Sequence, residues 1–207
     1  MSLKIRPAVP HDVDAAVPLI YSSGPDAFEF VFAHEKTGDA QAFLRAAFVH
    51  GQGEFGYLNH VVVEQNGEIV GSGAAFSGQD MLGFTIAAAG QMFRFYGLST
   101  ALGIIRRGLQ IEQILVPPRK QELCIAHLGV KPECRGTGVG TKLIDYLLAE
   151  GKKLGRETAV LDVSTHNPRA EALYSRLGFV VTKEIVSTYQ NRYGRVHNHR
   201  RMALALA

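Results

Sequence analysis

Charge of one sign and cysteine are both scarce in this sequence, and each scarcity excludes a class of protein. Lys and Arg exceed Asp and Glu by a net charge of only +3 over 207 residues, and the basic residues are scattered. A nucleic-acid-binding surface is therefore not predicted. Only two cysteines occur, Cys124 and Cys134, which indicates a reduced cytoplasmic pair rather than a disulfide framework or a metal site.

An apolar stretch of membrane-spanning length without an interrupting charge is also missing. Met1–Pro10 has charges and prolines where a signal peptide would be apolar, so we do not expect secretion. The segment from Met81 to Ile105 has one charge, Arg94, near its centre, where membrane insertion would cost about 2.5–3.5 kcal/mol. We interpret this segment as two mostly buried helices broken near Gly97, and expect a cytoplasmic protein without membrane contact.

The composition and the order of elements predict one mixed domain. Apolar residues make up 46% and charged residues 20% of the chain, which are globular proportions. Asn66-Gly67 joins two strand-like runs and is a strong hairpin signal. The expected order is strand, helices, hairpin, helical insert, strand, helix, strand, helix and two closing strands. This order predicts an α/β (α+β) fold with helices flanking a central sheet.

A glycine-rich turn follows the strand Leu123–Val130 and begins the helix from Thr137 to Leu154. Glycines let a ligand approach the backbone closely, and the first turn of a helix offers unpaired N–H groups to an anion. The spacing of Gly136, Gly138 and Gly140 matches neither the dinucleotide-binding fingerprint nor the P-loop. From the loop alone, a turn without a ligand stays open.

A second predicted helix begins at Asn167-Pro168 and ends near Gly178. Asn167 and Tyr174 are seven residues apart, which places them on nearly the same helix face, about 10 Å apart along the axis. An elongated ligand could lie along both side chains.

Together these motifs resemble the GNAT superfamily of N-acetyltransferases. The matching residues are Arg135-x-x-Gly138-x-Gly140 after Leu128-Gly129-Val130, and Asn167-Pro168-x-Ala170-x-x-Leu173-Tyr174-x-x-x-Gly178-Phe179. The resemblance implies a mostly antiparallel sheet that splays at an acetyl-CoA site, with a helical insert between the third and fourth strands as a departure from the compact family pattern. It implies acetyl transfer to an amine by direct attack, with acetyl-CoA as co-substrate and no metal.

The resemblance also implies residue roles. The backbone of Leu128, Gly129 and Val130 would hold the pantetheine arm, Asn167 would contact it, and Tyr174 would protonate the leaving sulfur. The pyrophosphate would lie on a loop formed by Arg135, Gly136, Thr137, Gly138, Val139, Gly140 and Thr141.

Two residues compete as the base that accepts the acceptor's proton. Glu122 is similar in position to the strand glutamate of histone-acetylating members of the family, and a solvated carboxylate is its alternative role. His127 is the rival, with a reference pKa near 6.5. The two have opposite strand parity, so they should not share a face unless the strand has a bulge.

The expected partner is a small-molecule or peptide amine, and a homodimer is left open. Within a single domain, 1–207, we distinguish an acceptor-side half (1–78), a helical insert (79–119), a cofactor core (120–187) and a C-terminal strand (188–207). The competing function is a non-enzymatic acyl-CoA sensor or interaction module.

Two further polar pairs lie near the C-terminus. His197 and His199 have no third metal ligand nearby, and we interpret Arg200-Arg201 as a solvated strand end rather than a phosphate clamp.

Overall fold

A computed structural model describes residues 3–206. Its strands form one seven-stranded sheet, in which only one neighbouring pair is parallel. The strands are β1 (Leu3–Pro7), β2 (His60–Gln65), β3 (Glu68–Ser77), β4 (Glu122–Val130), β5 (Thr158–Ser164), β6 (Val180–Ile185) and β7 (His199–Ala205). Their order across the sheet is β1-β2-β3-β4-β5-β7-β6, with β4 and β5 as the parallel pair. The mixed, mostly antiparallel sheet expected from the sequence is confirmed.

Helices cover both faces of this sheet. They are α1 (Val13–Ser22), α2 (Pro25–Phe32), α3 (Ala40–His50), α4 (Met81–Tyr96), α5 (Leu98–Ile111), α6 (Val139–Lys153) and α7 (Pro168–Arg176). Helices α1 to α5 build an aromatic-rich core on one face, and α6 and α7 pack on the other. The alternation of β2 fits this arrangement, because Val62 belongs to the first core and Val63 to the second.

The hairpin between β2 and β3 forms at the predicted dipeptide. Asn66 and Gly67 have φ angles of 53° and 81°, the positive values that a two-residue type I′ turn requires at both central positions. Beyond the turn and a register shift between Val63 and Glu64, His60 pairs with Ala74 on β3.

The insert between β3 and β4 is a closed excursion of two helices. Gly97, at φ 75°, separates α4 from α5, as the sequence predicts. The prediction that these helices are mostly buried was wrong, because α5 buries only Ala101 and Ile104. The two ends of the insert meet at the sheet, where the N–H of Gly78 donates to the carbonyl of Arg119 at 3.1 Å. The hydroxyl of Tyr96 donates to the carbonyl of Phe32 at 2.6 Å, which fastens the insert to α2.

Candidate active site

Strands β4 and β5 separate soon after they begin. Their parallel pairing joins Glu122–Cys124 to Thr158–Val160, although β4 continues to Val130 and β5 to Ser164. Beyond these pairs, the edge of each strand that faces the gap is not paired with the other strand. The splayed sheet implied by the resemblance is therefore present, and it offers backbone donors and acceptors to an extended ligand.

A β-bulge lies in β4 beside this gap. Ala126 pairs with Ala74 and Gly129 with Ser72, so His127 and Leu128 together oppose the single residue Gly73. His127 has a φ of 55°, which is uncommon for a residue other than glycine. The bulge turns the His127 side chain toward the aromatic core of α1 to α5, where it contacts Phe28 and Phe55.

The bulge also changes which candidate bases share a face. Glu122 has the same strand parity as Cys124, which packs with Phe84 of α4. Without the bulge, His127 would point to the opposite face. With it, both candidates face the side covered by α1 to α5.

The glycine loop ends in a helix start that is open to an anion. Gly138 has a φ of 91° and precedes α6, which therefore begins at Val139 and not at the predicted Thr137. The N–H groups of Val139, Gly140 and Thr141 have no acceptor within residues 3–206. A side chain added at Gly138 would meet no atom within 4 Å, so this glycine serves the backbone conformation and keeps the approach clear.

The other loop and strand candidates hold this arrangement together. Arg135 turns back so that its Nε donates to the carbonyl of Val130 at 3.1 Å. The hydroxyl of Thr137 donates to the carbonyl of Cys134 at 2.7 Å.

Gly129 packs against the backbone of α1, because a Cβ there would lie 2.1 Å from the carbonyl oxygen of Leu19. Gly136 has a φ of 84° near Arg169, and Leu128 packs in the core beneath α6.

Helix α7 begins after Asn167 and contains Tyr174, as the sequence predicts. The Oδ1 of Asn167 accepts from the N–H of Ala170 at 3.1 Å, which makes Asn167 the N-cap. The ring of Tyr174 packs edge-on against Phe179, and its hydroxyl has no hydrogen-bond partner among the described residues. Burial raises the pKa of Tyr174 to about 12, so the phenol keeps its proton at neutral pH.

Glu122 is held in a polar cluster at the start of β4. Its Oε2 accepts from the N–H of Arg119 at 2.8 Å and lies 3.4 Å from Nη2 of Arg201. Arg201 is only 12% exposed and also bonds Asp162 and the carbonyl of Val116. Burial raises the pKa of Asp162 to about 6. Arg201 is thus a partly buried link between strands, and the interpretation of Arg200-Arg201 as a solvated strand end was wrong for this residue.

His127 lies in a different environment. Its Nδ1 is 3.2 Å from Nε2 of His60, and its Nε2 is 3.4 Å from Oε1 of Glu54. The His127 side chain is 8% exposed, whereas that of Glu54 is 38% exposed. His60 and Glu54 were not among the predicted site residues, because they come from segments distant in sequence from His127.

The described part of the chain shows neither a metal centre nor a bilayer-crossing helix. Within residues 3–206, no group of three or more His, Cys, Asp or Glu side chains could hold a metal ion. His197 instead pairs with Asp26 at 3.2 Å and stacks on His166. No helix in the same part of the chain has the length and apolarity that a membrane span requires.

Comparison with known proteins identifies the family. The profile of the Acetyltransferase (GNAT) family matches residues 20–179. The chain belongs to this family. A 5-NmdU N-acetyltransferase from Pseudomonas phage PaMx11 is 36% identical to this GNAT chain over 66 residues, which cover 32% of the chain and 45% of the phage protein. The chain spans less than half the length of the curated relatives it matches.

Solved structures show the same GNAT fold. An N-acetyltransferase from Staphylococcus aureus Mu50 superposes with a TM-score of 0.69 at 21% identity, over 97% of this chain and 100% of that structure. The Salmonella typhimurium protein yncA, solved with its cofactor acetyl-CoA, gives a TM-score of 0.57 at 18% identity, over 100% of this chain and 95% of that one.

Proposed function

We propose that this GNAT chain transfers an acetyl group from acetyl-CoA to an amine by direct attack in a ternary complex. The observation that carries the proposal is the joint placement of the gap between β4 and β5 and the unpaired N–H groups at the start of α6. An extended arm ending in a pyrophosphate needs both features, one for its amides and one for its charge.

The donor site would be built mainly from backbone. The pyrophosphate would bind at residues 135–141, where free N–H groups and the positive end of the α6 dipole favour an anion. The pantetheine arm would lie along Leu128–Val130 at the open edge of β4. Asn167 would contact it through the amide nitrogen that the N-cap bond leaves free.

When bound, acetyl-CoA supplies an activated thioester carbonyl as the acyl donor. A backbone N–H at the bulge, near Leu128, would stabilise the negative charge that develops on oxygen. Tyr174 would donate its proton at the leaving sulfur, and its raised pKa ensures that the proton is present.

The geometry favours His127 over Glu122 as the base. Glu122 is engaged by Arg119 and Arg201 at the closed end of the gap, where β4 and β5 are still paired. His127 lies on the bulge itself, beyond the last of these pairs, and so close to the expected position of the thioester.

We assign the acceptor to the face covered by α1 to α5. In this proposal, residues 1–78 and the insert 79–119 shape the acceptor side of a single domain, and residues 120–187 bind the donor. The acceptor is an amine, either a small molecule or a peptide, and the reaction uses no metal. We also propose a cytoplasmic location.

Calorimetry with acetyl-CoA, followed by thiol release across a panel of amines, tests this function. We expect saturable binding and thiol release that depends on the amine. Binding without release on any amine would support the sensor alternative. Absence of binding would remove the basis of the proposal.

A further inference from the structure

His60 has a proton position that the fold dictates. Its Nδ1 lies 2.9 Å from the carbonyl oxygen of Gly56. A carbonyl can only accept, so Nδ1 must bear the hydrogen. His60 is 2% exposed, and burial lowers its pKa to about 3. The ring is therefore neutral at pH 7, has a single N–H on Nδ1, and presents a lone pair on Nε2.

That lone pair determines the tautomer of His127. The two rings are nearly coplanar, with an interplanar angle of 12° and centroids 5.3 Å apart. With Nδ1 of His127 only 3.2 Å from Nε2 of His60, the rings meet edge to edge. Because Nε2 of His60 accepts, Nδ1 of His127 must donate. A neutral His127 therefore has its lone pair on Nε2.

On the edge of the His127 ring opposite His60, two hydrogen-bond acceptors lie close together. Its Nε2 lone pair and the carboxylate oxygen of Glu54 are 3.4 Å apart, and neither can donate to the other while Glu54 is ionised. A donor with several hydrogens and a positive charge satisfies both. Phe28 and Phe55 flank the His127 ring, and the half-exposed Glu54 leaves an approach from solvent.

We propose that His127 Nε2 and the Glu54 carboxylate form the binding and deprotonation site for a primary alkylammonium acceptor, and that His60 is the positioning residue that keeps Nε2 unprotonated. The inference rests on the proposed acetyl transfer and names its base and its substrate class. The ammonium group would donate to Glu54 and to Nε2 before it loses a proton.

In this site, each proton of the reaction has an acceptor. One ammonium proton passes to His127 Nε2, and the resulting imidazolium pairs with Glu54. The neutral amine attacks the thioester carbonyl, so that the C–N bond forms and the C–S bond breaks. Tyr174 gives its proton to the sulfur and takes the second proton of the nitrogen. His127 then releases its proton to solvent.

The titratable groups around His127 come from four parts of the chain. His60 on β2 and Glu54 in the loop before it contact the ring directly. Glu112, after α5, interacts with Glu54, and burial together with that carboxylate raises the pKa of Glu112. Cys124 on β4 is buried, and burial raises its pKa far above neutral, so it contributes no charge.

Nitrogen-15 NMR of the histidine rings tests the tautomer without any catalysis. At pH 7 in the full chain, we expect a protonated Nδ1 and an unprotonated Nε2 for His127, with signals assigned by their loss in His127→Asn. His60→Gln, whose side-chain oxygen can replace the accepting nitrogen, should preserve this pattern. His60→Leu should move the His127 proton to Nε2. A wild-type ring protonated at Nε2 would overturn the proposal, whatever the enzyme's activity.

Kinetics test the consequence for the acceptor. With an alkylamine at pH 7, His60→Leu should lower kcat by on the order of tenfold to 10²-fold, part of the 10²–10⁴ that a general base supplies, with the KM for acetyl-CoA unchanged. His60→Gln should restore most of the loss. An arylamine that is already neutral at pH 7 should be affected much less. Equal losses with both amine classes, or no recovery in His60→Gln, would contradict the positioning role.

Discussion

The two faces of the sheet build their halves of the site in different ways. On the α6 and α7 face, the candidate donor site uses backbone N–H groups, positive-φ glycines and an N-cap within residues 128–174. On the α1 to α5 face, the candidate acceptor site uses side chains from distant segments, with Glu54 and His60 meeting His127.

This difference indicates which face can determine the choice of acceptor. Backbone donors at a helix start recognise a phosphate by charge and geometry, whatever side chains surround them. The side chains of Glu54, His60 and His127, with Phe28 and Phe55 beside the His127 ring, depend on the proton position of each imidazole. We therefore expect variants on the donor face to change cofactor affinity, and variants on the acceptor face to change turnover and its pH dependence.

We expect the largest effect when each of the two candidate bases is replaced in its own single variant. His127→Asn should lower kcat/KM for an alkylamine by on the order of 10²–10⁴-fold, because it removes the base while Asn tolerates the positive φ at the bulge. Glu122→Gln is the matched control and should change turnover only severalfold. Steady-state kinetics at pH 7 measure both. The reverse ranking would place the base at the start of β4.

Removal of the proton donor should separate turnover from binding. Tyr174→Phe retains the packing against Phe179 and removes the hydroxyl, so kcat should fall by about 10²-fold or more. The Kd for acetyl-CoA, measured by calorimetry, should stay near the wild-type value. An unchanged kcat would exclude Tyr174 from the reaction.

Two glycines at opposite ends of α6 test the donor face. Gly138 and Gly155 both have positive φ, and a Cβ at either meets no atom within 4 Å. Replacement by Ala should cost each about 1–2 kcal/mol of stability through backbone strain. Only Gly138→Ala should also weaken acetyl-CoA binding, by about tenfold. Equal affinities in the two variants would separate the glycine loop from the cofactor.

The buried His60 predicts a pH dependence of stability. In the native state it stays neutral down to about pH 3, while in the unfolded chain it takes up a proton below about pH 6.5. The unfolded state then binds more protons, so the free energy of unfolding should fall by about 1.4 kcal/mol per pH unit as the pH drops below 6.5. Urea unfolding at several pH values measures this slope, and His60→Gln should lack the component. Identical slopes would mean that His60 ionises in the folded protein.

Features with local signals could be predicted from sequence, whichever face of the sheet they lie on. The hairpin at Asn66-Gly67, the break at Gly97 and the N-cap at Asn167 each depend on a few consecutive residues, and the structure has all three. The exact start of α6 differed by two residues, since the left-handed Gly138 cannot belong to the helix.

The acceptor face could not be predicted in the same way. The bulge that turns His127 depends on register with β3, which strand parity alone does not reveal. The pairing of His60 with His127 joins residues 67 positions apart. The pairing of Arg201 with Glu122 and Asp162 likewise arises only when three strands come together.

The central proposal, acetyl transfer to an amine nitrogen, is tested most directly by mass spectrometry of the acceptor after incubation with acetyl-CoA and the full chain. We predict an N-acetylated amine in amounts equal to the coenzyme A released, and its loss in His127→Asn. Coenzyme A binding with no acetylated product from any alkylamine would contradict the proposal.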